Sequence, residues 1–101
     1  HTGYKGLSMY AASKGALQSF SKNISREWGE RGIRSNIVVP GYMETAMNAK
    51  LTAEHKNRIF KRTALKKETD MKSVAETVLF LSDERSRSIT GQEIFVDSGT
   101  L

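Results

Sequence analysis

Tyr10 and Lys14 are the pair in this 101-residue chain whose types and spacing could move a proton. Residues four apart on a helix share a face, one turn above each other. A phenol ionises near pH ~10 in water, and a neighbouring ammonium favours the phenolate. The pair could therefore act as a general acid or base toward an alcohol or carbonyl oxygen. An ordinary aromatic ring beside a surface lysine would show the same spacing. A second candidate is Gly41-Tyr42-Met43-Glu44-Thr45-Ala46-Met47, directly after Pro40. It reads either as a loop over a ligand crevice, offering backbone amides and the Thr45 hydroxyl, or as a plain connection. The chain has no cysteine, which excludes a disulfide scaffold and a thiolate metal site, and no metal site is expected.

These residues need elements to position them. From about Ser8 to Arg31, the apolar residues Leu17, Phe20, Ile24 and Trp28 recur at spacings of 3, 4 and 4. That predicts one helix burying this stripe, with Ser8 as N-cap and Gly29 and Gly32 marking its end. Ile37-Val38-Val39, stopped by Pro40-Gly41, predicts a buried strand. Thr52 to about Arg62 predicts a weakly amphipathic helix. Met71 to Leu81 predicts a stronger one, with an apolar face of Val74, Ala75, Val78, Leu79 and Leu81, and Glu93 to Val96 predicts a second strand. Helices alternating with buried strands predict a parallel α/β arrangement. In a crossover the start of the helix lies where the strands end, so Tyr10, Lys14 and the segment after Pro40 are expected to converge on one crevice. Two strands cannot complete a doubly wound sheet, so further strands are expected outside this chain, in keeping with its start at His1.

Sixteen Lys and Arg against eleven Asp and Glu give a formal charge of +5. The second half carries a cluster of Lys56, Arg58, Lys61, Arg62, Lys66, Lys67 and Lys72. A solvated helix face and loop account for it, and a polyanionic partner is the other reading. Nucleic acid is disfavoured because Phe60 alone interleaves the cluster with an aromatic ring. No apolar run approaches 18 residues, so no transmembrane helix is expected, and no signal-peptide pattern opens the chain. The lack of cysteine is compatible with a reducing compartment, and the cytoplasm is the expected location.

Several strings together carry a resemblance. They are Tyr10-Ala11-Ala12-Ser13-Lys14 with Gly15-Ala16, Arg34-Ser35-Asn36-Ile37-Val38-Val39-Pro40-Gly41, Thr45-Ala46-Met47, and Thr90-Gly91-Gln92-Glu93-Ile94-Phe95-Val96-Asp97-Ser98-Gly99. In order and spacing, over essentially the whole chain, they resemble the C-terminal part of a short-chain dehydrogenase/reductase. The subgroup pattern is that of 3-oxoacyl-(acyl-carrier-protein) reductase-like members and related sugar or polyol enzymes.

The resemblance implies that residues 1–101 form the C-terminal part of one doubly wound, parallel-sheet, Rossmann-type α/β domain whose N-terminal cofactor half is missing. It implies an NAD(P)-dependent oxidoreductase that moves hydride between nicotinamide and a carbonyl or secondary alcohol, such as a 3-oxoacyl thioester, with NADP slightly preferred over NAD. Tyr10 would be the catalytic acid/base, and Lys14 would bond the nicotinamide ribose while easing ionisation of Tyr10. Pro40, Gly41, Met43 and Thr45 would contact the nicotinamide side of the cofactor, Met43 through its backbone and Thr45 through its hydroxyl. Residues 46 to about 67 would form the variable substrate-binding lid, and Asn36 would be structural. The first helix would help build a homo-oligomer, dimer or tetramer, so its Leu17, Phe20, Ile24, Trp28 stripe would serve the core or a partner subunit.

The family's Gly-rich phosphate turn, ribose selector, catalytic Asn and catalytic Ser lie upstream of the matched region, and this chain contains none of them. The isolated chain is therefore expected to be inactive and to bind no dinucleotide saturably. Ser98-Gly99 stands where a Gly-Gly pair is common. The alternative class is a non-catalytic basic α/β module that binds a partner subunit or nucleic acid. In a third reading, a separate chain of the same assembly supplies the missing half.

Overall fold

The computed structural model describes residues 7–42 and 52–100. Its elements are α1 (Leu7–Trp28), β1 (Ile37–Pro40), α2 (Ala53–Lys61), α3 (Met71–Leu81) and β2 (Glu93–Val96). Short 3-10 turns span Gly29–Arg31 and Glu84–Ser86. The expected element order therefore holds. β1 and β2 pair in a two-stranded sheet. The Ile37 N–H donates to the Gln92 carbonyl and the Gly41 N–H to the Val96 carbonyl, each at 2.9 Å. Partner numbers that rise together define a parallel pair. Residues 37 and 41 use this edge, so the nitrogen of Pro40, which carries no hydrogen, faces away from β2 and costs the ladder nothing.

The chain divides into two units, His1–Ile37 with Arg87–Glu93, and Val38–Ser86 with Ile94–Leu101. In the first unit, α1 runs into the 3-10 turn Gly29–Arg31, which ends in Gly32 at φ 80°, whose N–H donates to the Gly29 carbonyl. α1 begins at Leu7, which places Ser8 inside its first turn; the expected Ser8 N-cap is thus corrected. The apolar stripe is corrected as well. Leu17 and Phe20 are 57% and 61% exposed and Trp28 is also exposed, whereas Ser21 and Ser25 are the buried residues of the helix. The inward face is the row Lys14, Gln18, Ser21, Ser25, about a quarter-turn around from the apolar stripe at 100° per residue.

Small polar side chains suit that face because it meets other polar side chains and the bare glycine at 91. Ser21 Oγ and Ser35 Oγ lie 2.7 Å apart, and a Cβ on Gly91 would lie 2.9 Å from Ser25 Oγ. Gln18 Nε2 donates to Glu93 Oε1 at 2.7 Å. Asn36 pins the turn before β2, its Nδ2 donating to the Ile89 carbonyl at 2.9 Å and its Oδ1 accepting the Gln92 N–H at 3.1 Å.

In the second unit, Thr52 caps α2 by accepting the His55 N–H, and Asp70 caps α3 by accepting the Lys72 N–H. The turn after β2 has Ser98 and Gly99 at φ 58° and 74°. It is stitched to the segment after α2 by bonds from Ala64 N–H to the Gly99 carbonyl (2.6 Å) and Leu65 N–H to the Ser98 carbonyl (3.0 Å). Among the described residues no apolar side chain is fully buried. Ile37, Val38 and Val39, expected to be buried, are half-buried, because among the described residues only β2 pairs with β1. Met71, Val78, Leu79 and Phe80 of α3 and Phe95 of β2 are exposed.

Candidate functional site

Tyr10 and Lys14 both lie in the first half of α1, one turn apart on adjoining rows. Tyr10 is 60% exposed. Lys14 is half-buried and heads the inward row of the helix. An exposed phenol with a lysine one helical turn away can pass a proton to or from an oxygen brought against it. A cleft of about 260 Å³ beside α1, lined among others by Gly15, Gln18, Ser21, Ile37 and Gly91, includes neither residue.

Pro40 and Gly41 stand at the exit of β1, in the other unit. Met43 and Thr45, and most of the loop expected over the crevice, lie outside the described residues. One expectation for that loop is corrected: the Gly41 amide is not available to a ligand, because it donates to the Val96 carbonyl.

The structure supplies a different reason for glycine at 41. A Cβ there would stand 2.6 Å from Thr69 Oγ1, 2.7 Å from Asp97 Cα and 2.8 Å from Asp97 Cβ. The turn is thus seated directly against the exit of β2 and the residue before the α3 cap. Tyr42 continues that seat. Its carbonyl accepts the Thr69 N–H at 3.0 Å, and its ring meets Phe60 with centroids 5.7 Å apart and planes tilted by 57°. Tyr42 and Thr69 were not distinguishable in the sequence as supports of this turn. Their partners are distant in the chain, and the only hint was the aromatic following Pro-Gly.

Among the described residues no group of three or more His, Cys, Asp or Glu side chains could hold a metal ion. No described helix is long and apolar enough to cross a membrane.

The family model described as Enoyl-(Acyl carrier protein) reductase matches residues 1–100. The chain belongs to the short-chain dehydrogenase/reductases. Within this family it is 35% identical over 103 residues to Carbonyl reductase [NADPH] 2 of Sus scrofa, a match covering 100% of this chain and 42% of that protein. It is 37% identical over 97 residues to the 3-oxoacyl-[acyl-carrier-protein] reductase FabG of Chlamydia trachomatis, covering 96% of this chain and 39% of that one. A crystal structure of a candidate gluconate dehydrogenase from Agrobacterium tumefaciens superposes with a TM-score of 0.81 at 33% identity, over 88% of this chain and 36% of that one. This short-chain dehydrogenase/reductase chain thus spans about two fifths of the length of the curated relatives it matches. Its parallel α/β architecture is that of part of a Rossmann-type domain.

Proposed function

We propose that this chain carries the proton-transfer end of an NAD(P)-dependent oxidoreductase acting on a carbonyl or secondary alcohol, such as a 3-oxoacyl thioester, with NADP preferred. The observation that carries the reading is the exposed Tyr10 one helical turn from Lys14, inside a family match that runs the length of the chain. The names of the relatives support the substrate class: one is a carbonyl reductase that uses NADPH, another a 3-oxoacyl-[acyl-carrier-protein] reductase.

The chemistry of Lys14 and Tyr10, a cation and a phenol one helical turn apart, supports a nicotinamide cofactor as the group this reading assigns to the site. Lys14 would bond the ribose hydroxyls, Tyr10 would lie between ribose and substrate oxygen, and Pro40, Gly41, Met43 and Thr45 would contact the nicotinamide end. Bound nicotinamide supplies the hydride in reduction and takes it up in oxidation. The chain's own part is the proton. During reduction the Tyr10 hydroxyl donates its proton to the developing alkoxide, and the Lys14 ammonium stabilises the phenolate left behind. In oxidation the same phenolate takes the proton from the alcohol.

The faces of α3 and β2 that this chain leaves exposed support a domain in which further strands and helices complete the sheet. The exposed Leu17, Phe20 and Trp28 support α1 as a contact surface in a homo-oligomer. A cytoplasmic location belongs to the same reading.

The test is Tyr10→Phe in a full-length protein carrying this chain. Turnover of an acetoacetyl thioester should fall by about 10²–10⁴-fold, the usual contribution of a positioned proton donor. Binding of NADPH, followed by its fluorescence, should persist. Near-wild-type turnover would refute the assignment.

A further inference from the structure

We propose that Tyr42 and Thr69 are positioning residues that set the Pro40-Gly41 turn for hydride transfer, an inference that rests on the function proposed above. Three contacts converge on this turn. The Gly41 N–H is held by the Val96 carbonyl at 2.9 Å. Gly41 has no room for a side chain because Thr69 Oγ1 and Asp97 Cα occupy that space, and Thr69 is itself only 4% exposed. The next carbonyl, that of Tyr42, is held by the Thr69 N–H at 3.0 Å. The turn is therefore clamped between the exit of β2 and residue 69, and the Tyr42 ring carries the clamp to Phe60 in the last turn of α2.

The hydroxyls of Tyr42 and Thr69 are both shielded from solvent, and neither has a hydrogen-bond partner among the described residues. A buried hydroxyl without a partner costs stability. The contribution of Tyr42 to this clamp thus lies in its ring and its carbonyl, and the hydroxyl adds nothing to it. That distinction separates two substitutions. Tyr42→Phe keeps the ring against Phe60 and removes the unpartnered hydroxyl, whereas Tyr42→Leu removes the aromatic pair. Hydride transfer depends on sub-ångström placement of the nicotinamide, so slack in a segment that contacts it acts mainly on the chemical step.

The experiment uses a full-length protein carrying the chain, NADPH fluorescence titration, and steady-state turnover of an acetoacetyl thioester. Tyr42→Leu should lower kcat by about tenfold or more, with a smaller change in the KM for thioester. Its NADPH affinity should weaken by roughly three- to tenfold, the range an aromatic pair's coupling supplies. Tyr42→Phe should restore both to near wild type. Phe60→Leu breaks the same contact from α2 and should reproduce the kcat loss, which keeps the test decisive if Tyr42→Leu does not fold. Unchanged kcat in a folded Tyr42→Leu or Phe60→Leu protein would overturn the proposal, as would a Tyr42→Phe protein as impaired as Tyr42→Leu. Wild-type protein that neither binds NADPH nor turns over would overturn the proposed function and this inference together. Wild-type activity lost in Tyr10→Phe but retained in Tyr42→Leu would overturn this inference alone.

Discussion

Replacing Gly41 by alanine should destabilise the fold, although glycine-to-alanine changes usually do the opposite. At a compatible site the exchange stabilises by about 0.4–1 kcal/mol, because it restricts the unfolded chain. At position 41 the added methyl would stand 2.7 Å from Asp97 Cα and 2.6 Å from Thr69 Oγ1. The Asp97 backbone cannot easily retreat. Val96 is held by the Gly41 N–H, and Asp97 Oδ1 accepts the Gly99 N–H at 2.9 Å. Overpacking of this kind costs about 1–3 kcal/mol, and loosening the Gly41–Val96 bond adds about 1 kcal/mol. The net destabilisation is then about 1–3 kcal/mol. With an m value of about 2 kcal/mol/M, the urea midpoint should fall by roughly 0.5–1.5 M at unchanged m.

Two controls sharpen the measurement. Gly15→Ala in α1, where an added Cβ meets nothing within 4 Å, should raise the midpoint, since alanine is favoured over glycine in a helix by roughly 0.5–1 kcal/mol. The double variant Gly41→Ala/Thr69→Ala should not recover, because the contact with the Asp97 backbone survives. A Gly41→Ala protein that unfolds at the wild-type midpoint, or one rescued by Thr69→Ala, would refute the reasoning.

Other substitutions test the supporting structure. Asn36→Ala removes the bridge between the Ile89 carbonyl and the Gln92 N–H; thermal unfolding should show a loss of about 1–3 kcal/mol. Lys66 is held at φ 57°, a conformation that costs a side-chain-bearing residue roughly 1–2 kcal/mol, part of which glycine's own entropy offsets. Lys66→Gly should therefore stabilise by about 0.5–1 kcal/mol in the same assay. The Asp83 carboxyl is held below its ordinary pKa, first by the Arg85 backbone N–H and then by the Arg85 side chain. A depressed carboxylate pKa contributes stability that is present above the unfolded value and is lost as pH falls through the folded one. Asp83→Asn should thus unfold slightly earlier than wild type at pH 7, and the difference should close as the pH drops below the carboxylate range.

Much of the element pattern was legible because it is written in short-range spacing. The helices over Thr52 to Arg62 and Met71 to Leu81 and the strand stopped at Pro40-Gly41 follow from neighbouring residues, and α2, α3 and β1 lie where that spacing puts them. The face of α1 was misread for a physical reason. Periodicity detects an apolar stripe but does not say which neighbour covers it. The inward row of this chain is instead set by Ser21, which meets the Ser35 hydroxyl, and Ser25, small enough to sit against Gly91.

The sequence by itself determined the helices and strands, the Tyr10–Lys14 pair on one helix, and the family to which the ordered strings belong. Each rests on residues close together in the chain or on their order along it. Tertiary structure alone decided why Asn36 bonds a residue 53 positions away, why residue 41 must be glycine, and how Tyr42 comes to rest on Phe60 and Thr69. Those answers depend on backbone atoms brought together by folding, and such contacts leave no periodic trace in the order of the residues.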